Sequence, residues 1–205
     1  MLNRLNRGLC LCCALGMASF AFGTVQNALA ALPQSNTDNC VTGAPSAKPK
    51  VAKPEGLPNY GVVSPGIYRG AAPTTQGLAT LKAMKVHTII DLRGASQAKA
   101  EKARATAMGF TCINLPMGSE PPTTRQVATL LATLAKAPAE PVYVHCQYGA
   151  DRTGCMIGIY RVFVQGWPFA QAWQEMRHYG FKPHLKQLIE AVKSRVKTGT
   201  VRSKQ

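Results

Sequence analysis

Acidic side chains are scarce in this chain. Nine Asp and Glu stand against 24 Lys and Arg in 205 residues, for a net charge of +15. Aromatic residues are also few, at 7%, and only two are tryptophan. Beyond residue 30, no apolar run approaches the ~20 residues that cross a bilayer, which excludes a multi-span membrane protein. Beyond residue 15, no two cysteines have C-x-x-C spacing. His87, His178 and His184 are scattered, without metal-ligand spacing, so a zinc or thioredoxin-type centre has no support. There is no basic-aromatic RNA motif, no zinc-finger spacing and no helix-turn-helix signature, so nucleic acid is not an expected partner.

What is present suits one domain with tails. The length allows a single core, and 46% apolar residues is ordinary for a globular chain. The basic excess favours anionic surroundings: a phosphorylated substrate, a lipid headgroup or a cell-surface polymer. Much of it sits at the C-terminus, in Lys186, Lys193, Arg195, Lys197, Arg202 and Lys204, where a solvated helix face and a frayed tail explain it equally well.

Residues 1–30 read as a secretory signal. Arg4 and Arg7 precede an uncharged, mostly apolar run from Leu9 to Phe22, and Ala28-Leu29-Ala30 supplies a small-residue cleavage site. Export to a periplasm or the outside is the expectation, with an uncleaved N-terminal anchor as the alternative. Residues 31–58 read as a flexible linker, because the Pro45–Pro54 stretch mixes prolines and lysines with no apolar period. The folded domain is expected over 59–197, followed by a basic tail at 198–205.

Strands and helices alternate along the domain. Tyr60–Tyr68 reads as two short strands about the turn Ser64-Pro65-Gly66. Helical spacing marks Thr74–Met84, Gln97–Met108 and Thr123–Lys136. Short apolar runs mark strands at Thr88–Leu92, Thr111–Leu115 and Val142–His145. A buried helix over Thr153–Gln165 and two more near Phe169–Tyr179 and His184–Lys197 complete the pattern. The expected fold is α/β: a central, largely parallel sheet of about four to five strands flanked by helices.

The segment that carries chemistry is His145-Cys146-Gln147-Tyr148-Gly149-Ala150-Asp151-Arg152-Thr153-Gly154. It lies between a strand and a helix, where open α/β sheets bind ligands. A tight loop there can turn successive N–H groups inward as an anion nest. The helix behind adds its positive end, and Arg152 can fork onto two phosphate oxygens. All three favour a thiolate at Cys146, so a nucleophile and a phosphate cradle share one loop.

This segment resembles the H-C-x(5)-R-[S/T] signature of the cysteine-dependent protein tyrosine and dual-specificity phosphatases, matching at His145, Cys146, Gly149, Arg152, Thr153 and Gly154. Pro65–Gly70 and Ile89–Arg93 are similar to the compact atypical dual-specificity branch. The resemblance covers about Asn59 to Phe181. It implies a phosphatase-type loop between the last strand and its helix, and no metal or cofactor. It makes Cys146 the nucleophile and Arg152 the phosphoryl binder, with Gln147, Tyr148, Gly149, Ala150 and Asp151 as the loop around the phosphoryl group. Thr153 assists the departing thiolate, and His145 and Gly154 support the loop.

The general acid is open. The window about thirty residues before Cys146, where the family takes an Asp, holds Asn114 and no Asp. Glu120 and Asp151 are the two candidates. Asp91 reads as a strand-end acid that anchors Arg93 or a neighbouring loop. None of the variable loop positions is basic, which favours a singly phosphorylated substrate, phosphotyrosine first. Arg69, Arg93, Arg125 and Lys182 are the cations available to an entrance, though each also reads as a surface charge. An inositol or lipid phosphate phosphatase, a catalytically silent phosphate-binding module and a rhodanese-like sulfur transferase are the alternatives. Cys155 reads as a packed thiol, and Cys40 with Cys112 as a possible pair in an oxidising compartment.

Overall fold

A computed structural model of the chain describes residues 54–196. These belong to the second of two units, Pro49–Gln205. The expected signal peptide, most of the expected linker, Cys40 and the basic tail lie outside the described residues.

Five strands and six helices follow in chain order: β1 (Gly61–Ser64), β2 (Ile67–Ala71), α1 (Thr75–Ala83), β3 (Thr88–Asp91), α2 (Ala95–Ala107), β4 (Thr111–Asn114), α3 (Thr124–Leu134), β5 (Val142–Cys146), α4 (Asp151–Phe163), α5 (Phe169–His178) and α6 (Lys186–Lys193). The sheet order is β1-β2-β5-β3-β4. Only β1 runs antiparallel; β2, β5, β3 and β4 are parallel to one another. This is the expected α/β fold, with the strand that ends in Cys146 at the centre of the sheet.

Side-chain alternation along β3 and β5 divides the core in two. Val142, Val144 and Cys146, with Ile90 and Leu92, face a layer built from α3, α4, α5 and α6. Tyr143 and Ile89 face a smaller layer with Leu78 and Leu81 of α1 and Ala105 of α2. The helix ends follow local chemistry. Thr123 caps α3, its hydroxyl accepting from Gln126 N–H while the Gln126 side chain returns to the Thr123 amide. Gly109, at φ +84°, ends the turn after α2.

One boundary moves. Residues 54–58, read from composition as linker, are fastened to the domain. Leu57 is buried. The Gly56 carbonyl accepts from Thr74 N–H and the Pro58 carbonyl from Ala71 N–H, while Thr80 Oγ1 donates to Glu55 O at 2.9 Å. Leu57 is the one buried apolar side chain of this strap, and no periodicity announces it. Helix α4 also begins two residues earlier than expected, at Asp151, because the turn before it is only four residues long.

Candidate active site

Strand β5 ends at Cys146, and residues 147–150 turn the chain into α4. Three successive carbonyls of this turn are held from outside it. Ala72 N–H donates to Gln147 O at 3.3 Å. Asn59 Nδ2 donates to Tyr148 O at 2.9 Å. Arg69 Nη2 donates to Gly149 O at 2.8 Å. In a trans peptide the N–H points opposite to its carbonyl, so the amides of Tyr148, Gly149 and Ala150 turn inward, as an anion nest requires. Gly149 adopts φ +68°, and a Cβ there would lie 2.4 Å from the Gly70 carbonyl carbon. Only glycine satisfies both constraints.

Helix α4 completes the cradle. Its N-cap is Ala150, which offers no side-chain cap. Its first amides therefore stay free for an anion, at the positive end of the helix dipole. Gly154, one turn in, lets the helix approach Phe181, whose ring would lie 3.1 Å from a Cβ at that position.

The thiol of Cys146 is buried, and burial alone pushes its pKa up. The Thr153 hydroxyl and amide, the charge of Arg152 and the Tyr148 amide outweigh that effect, and the net shift is downward. The Thr153 hydroxyl is wholly buried and unpartnered among the described residues, so it is free to turn to the sulfur. Arg152 is half-buried and makes no hydrogen bond or ion pair with a described side chain, so its fork is free. Cys155 differs: burial without donors drives it up to about 12, and it remains a packed thiol.

A charged network lies behind the loop. His145 Nδ1 faces Cys146 O at 3.3 Å. Its Nε2 lies 2.9 Å from Glu101 Oε1 without making a hydrogen bond. Arg93 donates from its amide, Nε and Nη2 to Asp91 and from Nη2 to Glu101 at 2.5 Å. Burial pushes the Asp91 carboxyl up, but the Arg93 hydrogen bonds and nearby His145 hold it below the usual carboxylate range. Its stabilising contribution is therefore present at neutral pH and lost as acid titrates it. Asp91, Glu101 and His145 sit close enough to ligate an ion. Arg93, however, already donates to both carboxylates and neutralises the cluster from within. Replacing Glu101 with alanine would remove one of the two buried carboxylates that Arg93 binds and leave part of its fork without an acceptor. Urea unfolding is expected to show a loss of about 3 kcal/mol, and a loss under ~1 kcal/mol would mean that the network is not a structural element.

The remaining candidates fall in different places. Gln147 and Tyr148 are exposed at the loop rim, Tyr148 by 70%. Asp151 accepts from Lys182 N–H at 2.9 Å and so ties α4 to the segment before α6. Glu120 is exposed in the loop after β4, in a shallow recess shared with His184 and Lys186. Two cations read as surface charges are nothing of the kind: Arg69 and Arg93 are both buried. Arg125 and Lys182 are exposed, as the surface reading has them. Sequence reasoning missed Asn59, Glu101 and the enclosed position of Arg69. No local signal marks them, because their partners lie 89, 44 and 80 residues away. The one available cue was Glu101 at helical spacing from Ala98 and Ala105, the buried side of α2.

Comparison with known proteins gives a consistent picture. Residues 60–193 match the profile of the family described as "DSP-PTPase phosphatase fused to NAD+ Kinase". The dual specificity protein phosphatase TpbA of Pseudomonas aeruginosa is 33% identical over 120 residues, which are 58% of this chain and 53% of that protein. The chain thus spans about half the length of that curated relative. An inositol diphosphatase, DSP3 of Arabidopsis thaliana, is 27% identical over 57% of this chain and 60% of its own length. The crystal structure of P. aeruginosa TpbA superposes with a TM-score of 0.57 and 27% identity, over 66% of this chain and 84% of that one. A variant of the same relative has been solved in complex with phosphotyrosine.

Proposed function

The chain belongs to the DSP-PTPase phosphatase family described as fused to NAD+ kinase, and from that premise we propose that it is an exported phosphatase that hydrolyses phosphate monoesters, phosphotyrosine foremost, through a phosphocysteine on Cys146. One observation carries the reading. A buried thiol is held more acidic than usual by the same loop whose amides and free arginine form an anion cradle.

In the first step the Cys146 thiolate attacks phosphorus. The amides of residues 148–150, the α4 N-terminus and Arg152 take up the charge spreading over the non-bridging oxygens. The bond to the leaving oxygen breaks, and that oxygen takes a proton from an acid. Glu120 is the acid of this proposal. Strands β4 and β5 run parallel, so the loop that follows β4 opens on the same sheet edge as Cys146. Asp151 is engaged by the Lys182 amide instead. In the second step water displaces the thiolate, releasing inorganic phosphate, and the Thr153 hydroxyl hydrogen-bonds the departing sulfur.

Two features support phosphotyrosine. Tyr148 presents an exposed ring at the rim, suited to stacking on a flat aromatic ester. None of Gln147, Tyr148, Gly149, Ala150 and Asp151 is cationic, so a second phosphate gains no partner from the loop. The TpbA relative binds phosphotyrosine.

The test is a substrate panel with the full chain: p-nitrophenyl phosphate, a phosphotyrosine peptide, an alkyl phosphate and an inositol pyrophosphate. The aryl substrates are expected to turn over fastest. Glu120→Gln is expected to slow the alkyl ester by about 10²-fold while sparing p-nitrophenyl phosphate, whose leaving group needs no proton; Asp151→Asn should not discriminate. Preference for the inositol pyrophosphate would replace the substrate class. No turnover of any substrate would overturn the reading.

A further inference from the structure

Three arginines are buried among the described residues, and two of them have acids. Arg93 pairs with Asp91 and Glu101. Arg161 pairs with Glu175 and also donates to Val63 O. Arg69 has no accessible surface and no carboxylate partner among the described residues. Its Nη2 donates to Gly149 O, while Nε and Nη1 donate to nothing. Its guanidinium carbon stacks 3.8 Å above the centroid of the Tyr179 ring, which offsets part of the burial cost.

An isolated buried cation is expensive to keep. The charged and titratable groups that face Arg69 come from α4, α5 and its C-terminal cap, and β5: Arg161, Glu175, Tyr179, Tyr143 and Cys146. Glu175 is already taken by Arg161 through both carboxylate oxygens. Burial draws the Arg69 pKa down to about 10, so the guanidinium stays charged at neutral pH. Glu175 remains the strongest negative charge acting on Arg69, offset by Arg161 beside it, and Cys146 adds to it from the loop side.

We propose that Arg69 is a positioning residue for the phosphate loop: its guanidinium fixes the Gly149 peptide from outside the loop, and its buried charge, which has no carboxylate in direct contact, favours the Cys146 thiolate or a bound phosphoryl group. Arg69 does not touch substrate. It acts through the Gly149 carbonyl, whose peptide presents the Ala150 amide inward, and through its buried positive charge. This assignment rests on the reading of Cys146 as nucleophile. It adds a second, enclosed arginine to the exposed fork of Arg152.

The test uses the full chain as wild type, Arg69→Met and Arg69→Lys. Three quantities are measured: the pH midpoint of Cys146 alkylation by iodoacetamide, followed on the Cys146 peptide; inhibition by vanadate; and kcat and KM on p-nitrophenyl phosphate. For Arg69→Met the alkylation midpoint is expected to rise by about half a pH unit or more. Vanadate affinity should fall by about tenfold or more and kcat should fall further than KM rises. At a fixed concentration, vanadate should raise the melting temperature of Arg69→Met less than that of wild type. Arg69→Lys keeps the charge without the fork, so it should restore the midpoint and leave kcat reduced.

A purely structural role would lower the ligand-free melting temperature and leave the midpoint of the folded protein in place. A midpoint and vanadate affinity in Arg69→Met within about twofold of wild type overturn the assignment. Should the methionine variant not fold, the lysine variant decides alone: wild-type kcat, or a midpoint displaced upward, overturns it. Wild-type protein whose thiol titrates low and binds vanadate but turns nothing over defeats the phosphatase reading instead. Arg69 is then judged on alkylation and vanadate.

Discussion

Cys146→Ser is expected to abolish turnover of p-nitrophenyl phosphate, by on the order of 10⁴-fold or more in kcat. The exchange changes one atom and little volume, and the melting temperature should stay close to wild type. The loss arises in the chemistry. Thr153, Arg152 and the Tyr148 amide together outweigh the burial of a thiol, but a serine hydroxyl is a far weaker acid and the same donors cannot ionise it. Because the cradle persists, the serine variant should still bind a phosphotyrosine peptide, read by calorimetry. Wild-type turnover in the serine variant would remove Cys146 from the mechanism. Lost turnover together with a collapsed melting curve would require the measurement to be repeated with Cys146→Ala before any catalytic conclusion.

Arg152→Lys is the second large effect, a loss of about 10³-fold in kcat/KM. The lysine keeps the positive charge at the start of α4. What it cannot keep is the planar fork that meets two phosphoryl oxygens at once. Arg152 is free of protein partners among the described residues, so the substitution breaks no internal bond and stability should hold. The loss should appear in kcat more than in KM, because charge spreads over the equatorial oxygens most fully at the transition state. A lysine variant within about tenfold of wild type would show that the fork is dispensable and the charge sufficient.

The candidate chemistry of the loop was legible because it is local. The proposed nucleophile, the glycine bend, the arginine and the helix start all lie within the ten residues from His145 to Gly154, and the short apolar runs and helical stripes around them placed the strands and helices. The supports of the loop were not legible, because they arrive from far along the chain. Asn59 sat at the expected start of the domain, and Arg69 just past the expected pair of short strands. Glu101 sat in an Ala- and Lys-rich helix, where an acid reads as a solvated charge. In each case the side chain is buried or engaged by the parallel pairing of β2 with β5 and β3 with β5, which no sequence period encodes. The boundary at residue 59 failed for a related reason: one apolar side chain, Leu57, holds a strap that composition alone describes as unstructured.

The three outside donors that pin Gln147, Tyr148 and Gly149 come from residues 72, 59 and 69, all synthesised long before Cys146. Until the central strand docks between its neighbours, none of them can grip the turn, and the sulfur remains an ordinary, sluggish thiol. The lowered pKa of Cys146 therefore belongs to the folded sheet. A partly melted copy of this chain keeps the cysteine but loses the setting that makes its thiol acidic.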